Sequence, residues 1–197
     1  MALFRLAKAA EGEPLLRGDG VALRPAVIAD FPGWARLRDQ SRAFLTPWEP
    51  TWPEDDLTRA AFRRRLRRQV EEMERDESFA FLIFDTTSEE LLGGLTLGGI
   101  RRGVAQAATL GYWMGARHAG KGHMTRAVAA AVRFGFATLR LHRIEAACIP
   151  DNAPSIALLQ RNGFRREGLA RAYLKINDAW RDHVLFALVD GEATRLE

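Results

Sequence analysis

Apolar residues in the middle of the chain fall into runs of strand length, separated by polar or glycine-rich breaks. Phe79-Ala-Phe-Leu-Ile-Phe84 and Leu91-Leu-Gly-Gly-Leu-Thr-Leu97 flank the polar stretch Asp85–Glu90, and Gly98–Gly103 precedes a third run that ends at Met114. Such runs predict an antiparallel meander, and Gly20–Pro25 predicts a strand ahead of it. Elsewhere the spacing is helical. Phe31, Trp34, Leu37 and Phe44 share one face behind Asp30, a predicted N-cap. Asp55 or Asp56 predicts the start of a second helix, with acids at the positive end of its dipole. Met124, Val128, Ala131, Val132 and Leu139 predict a third over 122–139. Arg143–Ile149 then reads as a strand parallel to the one ending at Met114, joined to it by a right-handed crossover. Asp151 or Asn152 caps a fourth helix, Pro154 suits its first turn, and Gly163 ends it. Two last strands, 164–175 and 180–189, meet around Asn177-Asp178. The pattern predicts an α/β (α+β) protein with a mixed central sheet of about seven strands and flanking helices. Residues 1–19 read as an N-terminal arm or short strand and 20–192 as a single domain.

Size and charge narrow the picture. The chain has 197 residues, 47% hydrophobic and 27% charged, as a soluble globular domain does. Its net charge of +4 suits an anionic cofactor or a ribosomal setting, and is too small to argue for direct nucleic-acid binding. The densest basic stretch, Arg63-Arg-Arg-Leu-Arg-Arg68, precedes Glu71, Glu72 and Glu74. Arg67 with Glu71 and Arg68 with Glu72 stand at i,i+4, which predicts a paired, solvated face. Cys148 is the single cysteine, so no internal disulfide forms, and its apolar neighbours read as core. The N-terminus lacks the apolar core of a signal peptide, and no segment approaches the ~20 apolar residues of a membrane span. A cytoplasmic location is expected. His118, His123, His142 and His183 lack metal-ligand spacing, so no metal is expected, and Asp182-His183 reads as a structural pair.

Candidate chemistry concentrates at Thr109–Val128, where a strand passes through Gly115, Gly120 and Gly122 into a helix. That order makes a phosphate cradle, because glycines admit the ligand to the backbone and the first helix amides point at it. It is no P-loop, since Gly122 follows Lys121 where Ser or Thr would hold magnesium. Nor is it a dinucleotide fingerprint, since Thr125 stands at the third glycine.

Arg117-x-x-Gly120-x-Gly122 resembles the Q/R-x-x-G-x-G/A loop of the GCN5-related N-acetyltransferases (GNAT). Asn152-Ala-Pro-Ser155-Ile-Ala-Leu158, followed by Gly163-Phe164, resembles that superfamily's second signature. Ser41-Arg-x-Phe-Leu-x-Pro-Trp48-Glu49-Pro50, Gly111-Tyr-Trp-Met114, Gly120-Lys-Gly-x-Met124-Thr125, His142-Arg-Ile144 and Trp180-Arg-Asp-His183 resemble its RimJ/RimL branch, the ribosomal-protein-alanine N-acetyltransferases. The run Phe44–Pro50 points to the RimJ side, which acts on ribosomal protein S5.

The resemblance implies a GNAT fold in which the strands ending near Met114 and Ile149 splay apart to hold acetyl-coenzyme A. Pantetheine is expected along Gly111, Tyr112, Trp113 and Met114. The pyrophosphate is expected on the amides of Lys121, Gly122, Met124 and Thr125, beside Gly120, with Arg117 and Lys121 near its charge. Asn152 and Ser155 are expected beside the thioester. The N–H of Met114 or Gly115 would hold the oxyanion, and Ser155 would protonate the leaving thiolate. A peptide α-amine with a pKa of ~7.7 to 8.0 needs no strong base. Some relatives place a carboxylate in the strand after Gly-Phe, but here that run is Arg171-Ala-Tyr-Leu-Lys175, so Tyr173 or Glu49 would substitute. The expected acceptor is a protein N-terminus, alanine, on S5 or the ribosome, with the connector 41–53 lining its pocket. The alternatives are a small amine (polyamine, amino acid or aminoglycoside) as acceptor, and a non-catalytic ribosome-assembly or RNA-binding protein.

Overall fold

The predicted meander forms the centre of one eight-stranded sheet. The structure, a computed structural model, describes residues 15–191. Its strands are β1 (Leu16–Gly18), β2 (Val21–Arg24), β3 (Phe79–Asp85), β4 (Leu91–Arg101), β5 (Ala107–Met114), β6 (Arg143–Cys148), β7 (Arg165–Ile176) and β8 (Ala179–Val189). The helices are α1 (Phe31–Gln40), α2 (Arg42–Leu45), α3 (Arg59–Glu74), α4 (His123–Ala137) and α5 (Ala153–Arg161). The strands lie in the order β1-β2-β3-β4-β5-β6-β8-β7, and the one parallel pair is β5 with β6.

Helices cover both faces of the meander, which is why β3 is apolar throughout rather than alternating. Phe79, Phe81 and Ile83 pack in the cluster that holds Val128, Ala131 and Phe134 of α4. Leu82 faces the other way, toward Trp34 and Leu37 of α1 and Phe62 of α3. Phe134 meets Phe79 and Phe81 edge-on, with centroids 5.5 and 5.8 Å away. Small residues let α4 sit close to the sheet: a methyl at Gly135 would come within 2.8 Å of Ile144.

Several local expectations are corrected. Leu16–Gly18 form the short strand, an eighth on β2 rather than about seven in all, so the sheet begins before residue 20, while residues 1–14 and 192–197 lie outside the described residues. The first helix breaks at Ser41, and Phe44 on α2 leaves the core face and is exposed. Asp30 is no side-chain cap; its carboxylate accepts from Arg24 at 2.6 and 2.8 Å and from the Val27 amide. Helix α3 begins after Thr58, whose hydroxyl accepts from Ala61 N–H at 3.2 Å. The acids expected to start it instead reach back along it, Asp55 to Arg64 and Asp56 to Arg65. Of the two expected i,i+4 pairs only Arg68–Glu72 forms, at 3.5 Å. The expected Asn177-Asp178 turn is present, with φ of 44° and 63°, the left-handed pair that suits a tight hairpin.

Phe62 is 1% exposed, with ring centroids 4.8 Å from Trp34 and 5.7 Å from Phe31. Phe62→Ala should cost about 3–5 kcal/mol, read as a lower denaturant midpoint at unchanged slope. Val70→Ala on the exposed side of α3 should change stability by no more than about 0.5 kcal/mol.

Candidate active site

Strands β5 and β6 pair only at Ala107–Arg143, Ala108–Ile144 and Thr109–Glu145. Past that point β6 stays on β8 as far as Cys148, and β5 stays on β4 as far as Met114. The two therefore splay, and a cavity of about 550 Å³ occupies the gap. Gly115 N–H donates to Leu92 O at 2.8 Å, so by strand alternation the amides of Tyr112 and Met114 face the gap. Gly115 is thus not available to an oxyanion, and Met114 is the donor that remains of the two expected.

The glycine-loop end of the cavity is set by tight packing. A methyl on Gly115 would come within 2.5 Å of Leu37, and the next amide, Ala116, donates to the buried Ser41 hydroxyl at 2.9 Å. The chain then turns through Gly120 and Gly122, with φ of 75° and 78°, into α4. Its first intrahelical bond is Arg126 N–H to Gly122 O, so the amides of His123, Met124 and Thr125 have no helical acceptor. The first turn carries no acid, while Lys121 and His123 line the cavity there and Arg126 bonds His123 at 3.0 Å. Cations at the positive end of a helix are unfavourable unless an anion sits between them, and that fits a phosphate ligand. Arg117 is outside the cavity lining; its guanidinium bonds Glu90 and the His118 ring. Burial pushes the His118 pKa down, against the opposing pull of Glu90, so this ring is neutral at pH 7.

At the middle of the gap Tyr112 hydroxyl lies 2.6 Å from Ser155 Oγ. Asn152 caps α5 by accepting from Ser155 N–H at 3.2 Å, which fixes the serine backbone. Burial pushes the Tyr112 phenol up to about 12. Burial also raises the Cys148 thiol, with a hydrogen bond to Ser155 opposing it.

Another part of the cavity lining is apolar, built from Phe44, Leu45, Trp48, Leu174 and Ile176. Glu49 is the one carboxylate among the described lining residues, and both its oxygens are engaged. Arg38 grips them at 2.8 Å each, and Trp52 N–H adds a bond at 2.7 Å. Arg38 is 6% exposed and stacked between Trp52 and Trp113, 4.0 and 4.9 Å from their centroids. Asn177 N–H to Glu49 O and Thr51 to Asp178 tie this connector to the β7–β8 hairpin.

Tyr112, Trp113, Met114, Gly120, Lys121, Gly122, Met124, Thr125, Asn152, Ser155 and Glu49 thus meet around one cavity; Arg117 and Tyr173 do not. Tyr173 sits in a bulge where residues 171–173 face Asp182 alone, and it is half exposed. Asp182 holds that bulge through Ala172 N–H at 2.8 Å, so it does not pair with His183 as expected. His183 is buried and lines the cavity, with Nδ1 3.0 Å from Arg181 O. A carbonyl only accepts, so Nδ1 is the donor in this bond and Nε2 is the ring nitrogen left for another partner. Arg161, at the end of α5, also lines the cavity. Arg161 carries no local sequence signal, and His183, though it stands in the Trp180-Arg-Asp-His183 run, reads there only as half of a structural pair.

Residues 21–165 match the acetyltransferase (GNAT) domain family. The [ribosomal protein uS5]-alanine N-acetyltransferase of Escherichia coli is 38% identical over 171 residues, covering 85% of this chain and 88% of its own length. The probable N-acetyltransferase YjcK of Bacillus subtilis is 36% identical over 178 residues, covering 90% and 98%. The solved structure of Mycobacterium smegmatis RimJ in complex with CoA-disulfide superposes with a TM-score of 0.84 at 34% identity, covering 93% of this chain and 91% of that one. With the splayed strands and glycine loop in place, the conclusion is that the chain belongs to the GCN5-related N-acetyltransferase family, on its RimJ-like branch.

Proposed function

We propose that this acyltransferase moves the acetyl group of acetyl-coenzyme A to the α-amine of a protein N-terminus, alanine by preference, with ribosomal protein S5 as the foremost acceptor. The observation that carries the reading is the single cavity that runs from the α4 N-terminus, through the parted strands, to an apolar mouth. One end suits phosphates and the other a small apolar residue. A polyamine or aminoglycoside would call for free carboxylates at the mouth, and Glu49 is held by Arg38 and Trp52. An RNA-binding role has little support in the Arg63–Arg68 stretch, where Arg64, Arg65 and Arg68 are paired with acids.

Acetyl-coenzyme A supplies the activated acyl group as co-substrate. On this reading Lys121, His123, Arg161 and the free α4 amides hold its phosphates, and the exposed edge of β5 holds its pantetheine. The Met114 N–H faces the developing oxyanion. Ser155 gives its proton to the departing sulfur, and His183 Nε2 takes a proton from the acceptor amine in the place expected of Tyr173 or Glu49.

Three results are expected. Release of free thiol from acetyl-coenzyme A should occur with an alanine-starting peptide whose α-amine is free and not with the same peptide blocked. Turnover with polyamines but with neither peptide would overturn the acceptor class. Gly122→Val forces a β-branched residue into a left-handed backbone and fills the cradle, so calorimetry should detect no acetyl-coenzyme A binding. Ser155→Ala should lower kcat by about 10²-fold while affinity for acetyl-coenzyme A stays within about twofold.

A further inference from the structure

We infer that Tyr112 is a positioning residue for acyl transfer: its hydroxyl donates to Ser155 Oγ and so leaves the serine proton directed at the reacting sulfur. This rests on the reading of Ser155 as the proton donor. A serine hydroxyl has one proton and two lone pairs, so its single donation must be aimed if it is to serve the leaving group. The Tyr112–Ser155 separation of 2.6 Å is that of a short O–H···O bond. Of the two groups the phenol is the stronger acid and the better donor, and it keeps its proton at neutral pH because burial raises its pKa. Ser155 is then the acceptor in this bond, and its own proton must go elsewhere. Asn152 does not take it, because its side-chain oxygen already receives Ser155 N–H. Ser155 lines the cavity, so its proton is left for the sulfur of a thioester lying in the gap.

The step balances without a further reactant. The amine nitrogen forms a bond to the acetyl carbon, the carbon–sulfur bond breaks with its electron pair on sulfur, and sulfur takes the Ser155 proton. Ser155 oxygen regains a proton through water from the nitrogen that has just become cationic. Tyr112 keeps its proton throughout, so it orients the acid and is not itself the acid.

A double-mutant cycle with the full chain tests this, using Tyr112→Phe, Ser155→Ala and the pair. The readouts are kcat and peptide KM with an alanine-starting peptide, and acetyl-coenzyme A affinity by calorimetry. Tyr112→Phe should lower kcat about tenfold, the kinetic equivalent of one orienting hydrogen bond, with affinity and peptide KM within about twofold. In the Ser155→Ala background the same change should cost nothing further. Multiplicative losses in the double variant would overturn the inference, as would a wild-type kcat for Tyr112→Phe alongside a slow Ser155→Ala. A fully active Ser155→Ala is a separate failure: it would remove the proton donor, and the inference with it. A melting temperature for each variant separates loss of fold from loss of rate, and Tyr112→Leu, which lacks both ring and hydroxyl, should be no more active than Tyr112→Phe; a faster Leu variant would contradict the assignment.

Discussion

The rest of this molecule depends on the parting of β5 from β6 after Thr109. A strand edge with no neighbour presents amides and carbonyls that need partners. In most sheets such an edge lies at the margin; here it lies in the middle, between two strands that are each well paired on their far side. The helices that follow the parted strands, α4 and α5, both begin at the cavity, since Gly122, His123, Asn152 and Ser155 all line it. Two helix N-termini and an unpaired strand edge make a site rich in donors. A long, flexible, phosphate-bearing ligand satisfies all three, and coenzyme A has that chemistry.

The connector side of the cavity is governed by a different interaction. Arg38 is nearly buried, and both Glu49 oxygens and two indole rings surround it. Ion pairs of this kind give little net stability, because desolvation offsets the attraction, but they are costly to break and fix geometry. What is fixed here is the connector that carries Phe44, Leu45, Trp48 and Glu49 to the mouth, bound in turn to the β7–β8 hairpin. That role explains why Glu49 is present without making it a base.

How much of this was legible in the sequence follows from how local each feature is. The meander, the crossover and the Asn177-Asp178 turn rest on apolar runs and turn residues, and they appear where the pattern puts them. The glycine loop and the Asn152 cap were also legible, because backbone conformation and capping are encoded within a few residues. Features that depend on distant partners were not. Asp55 and Asp56 look like helix starters until Arg64 and Arg65 take them. Arg117 looks like a phosphate ligand until Glu90 and His118 engage it. The edge strand Leu16–Gly18 is too short to show a period of two, and the β7 bulge that turns Tyr173 outward is set by Asp182 on the facing strand.

The most direct measurement of the central claim is amide hydrogen exchange with and without acetyl-coenzyme A. Binding between the parted strands should slow exchange at Tyr112 and Met114, which face the gap, and at His123, Met124 and Thr125, which start α4. Gly115, already bonded to Leu92, should change little. Protection confined to the second, smaller cavity between α3 and the sheet, around Arg65, Gln69 and Thr96, with no change along β5, would contradict the account.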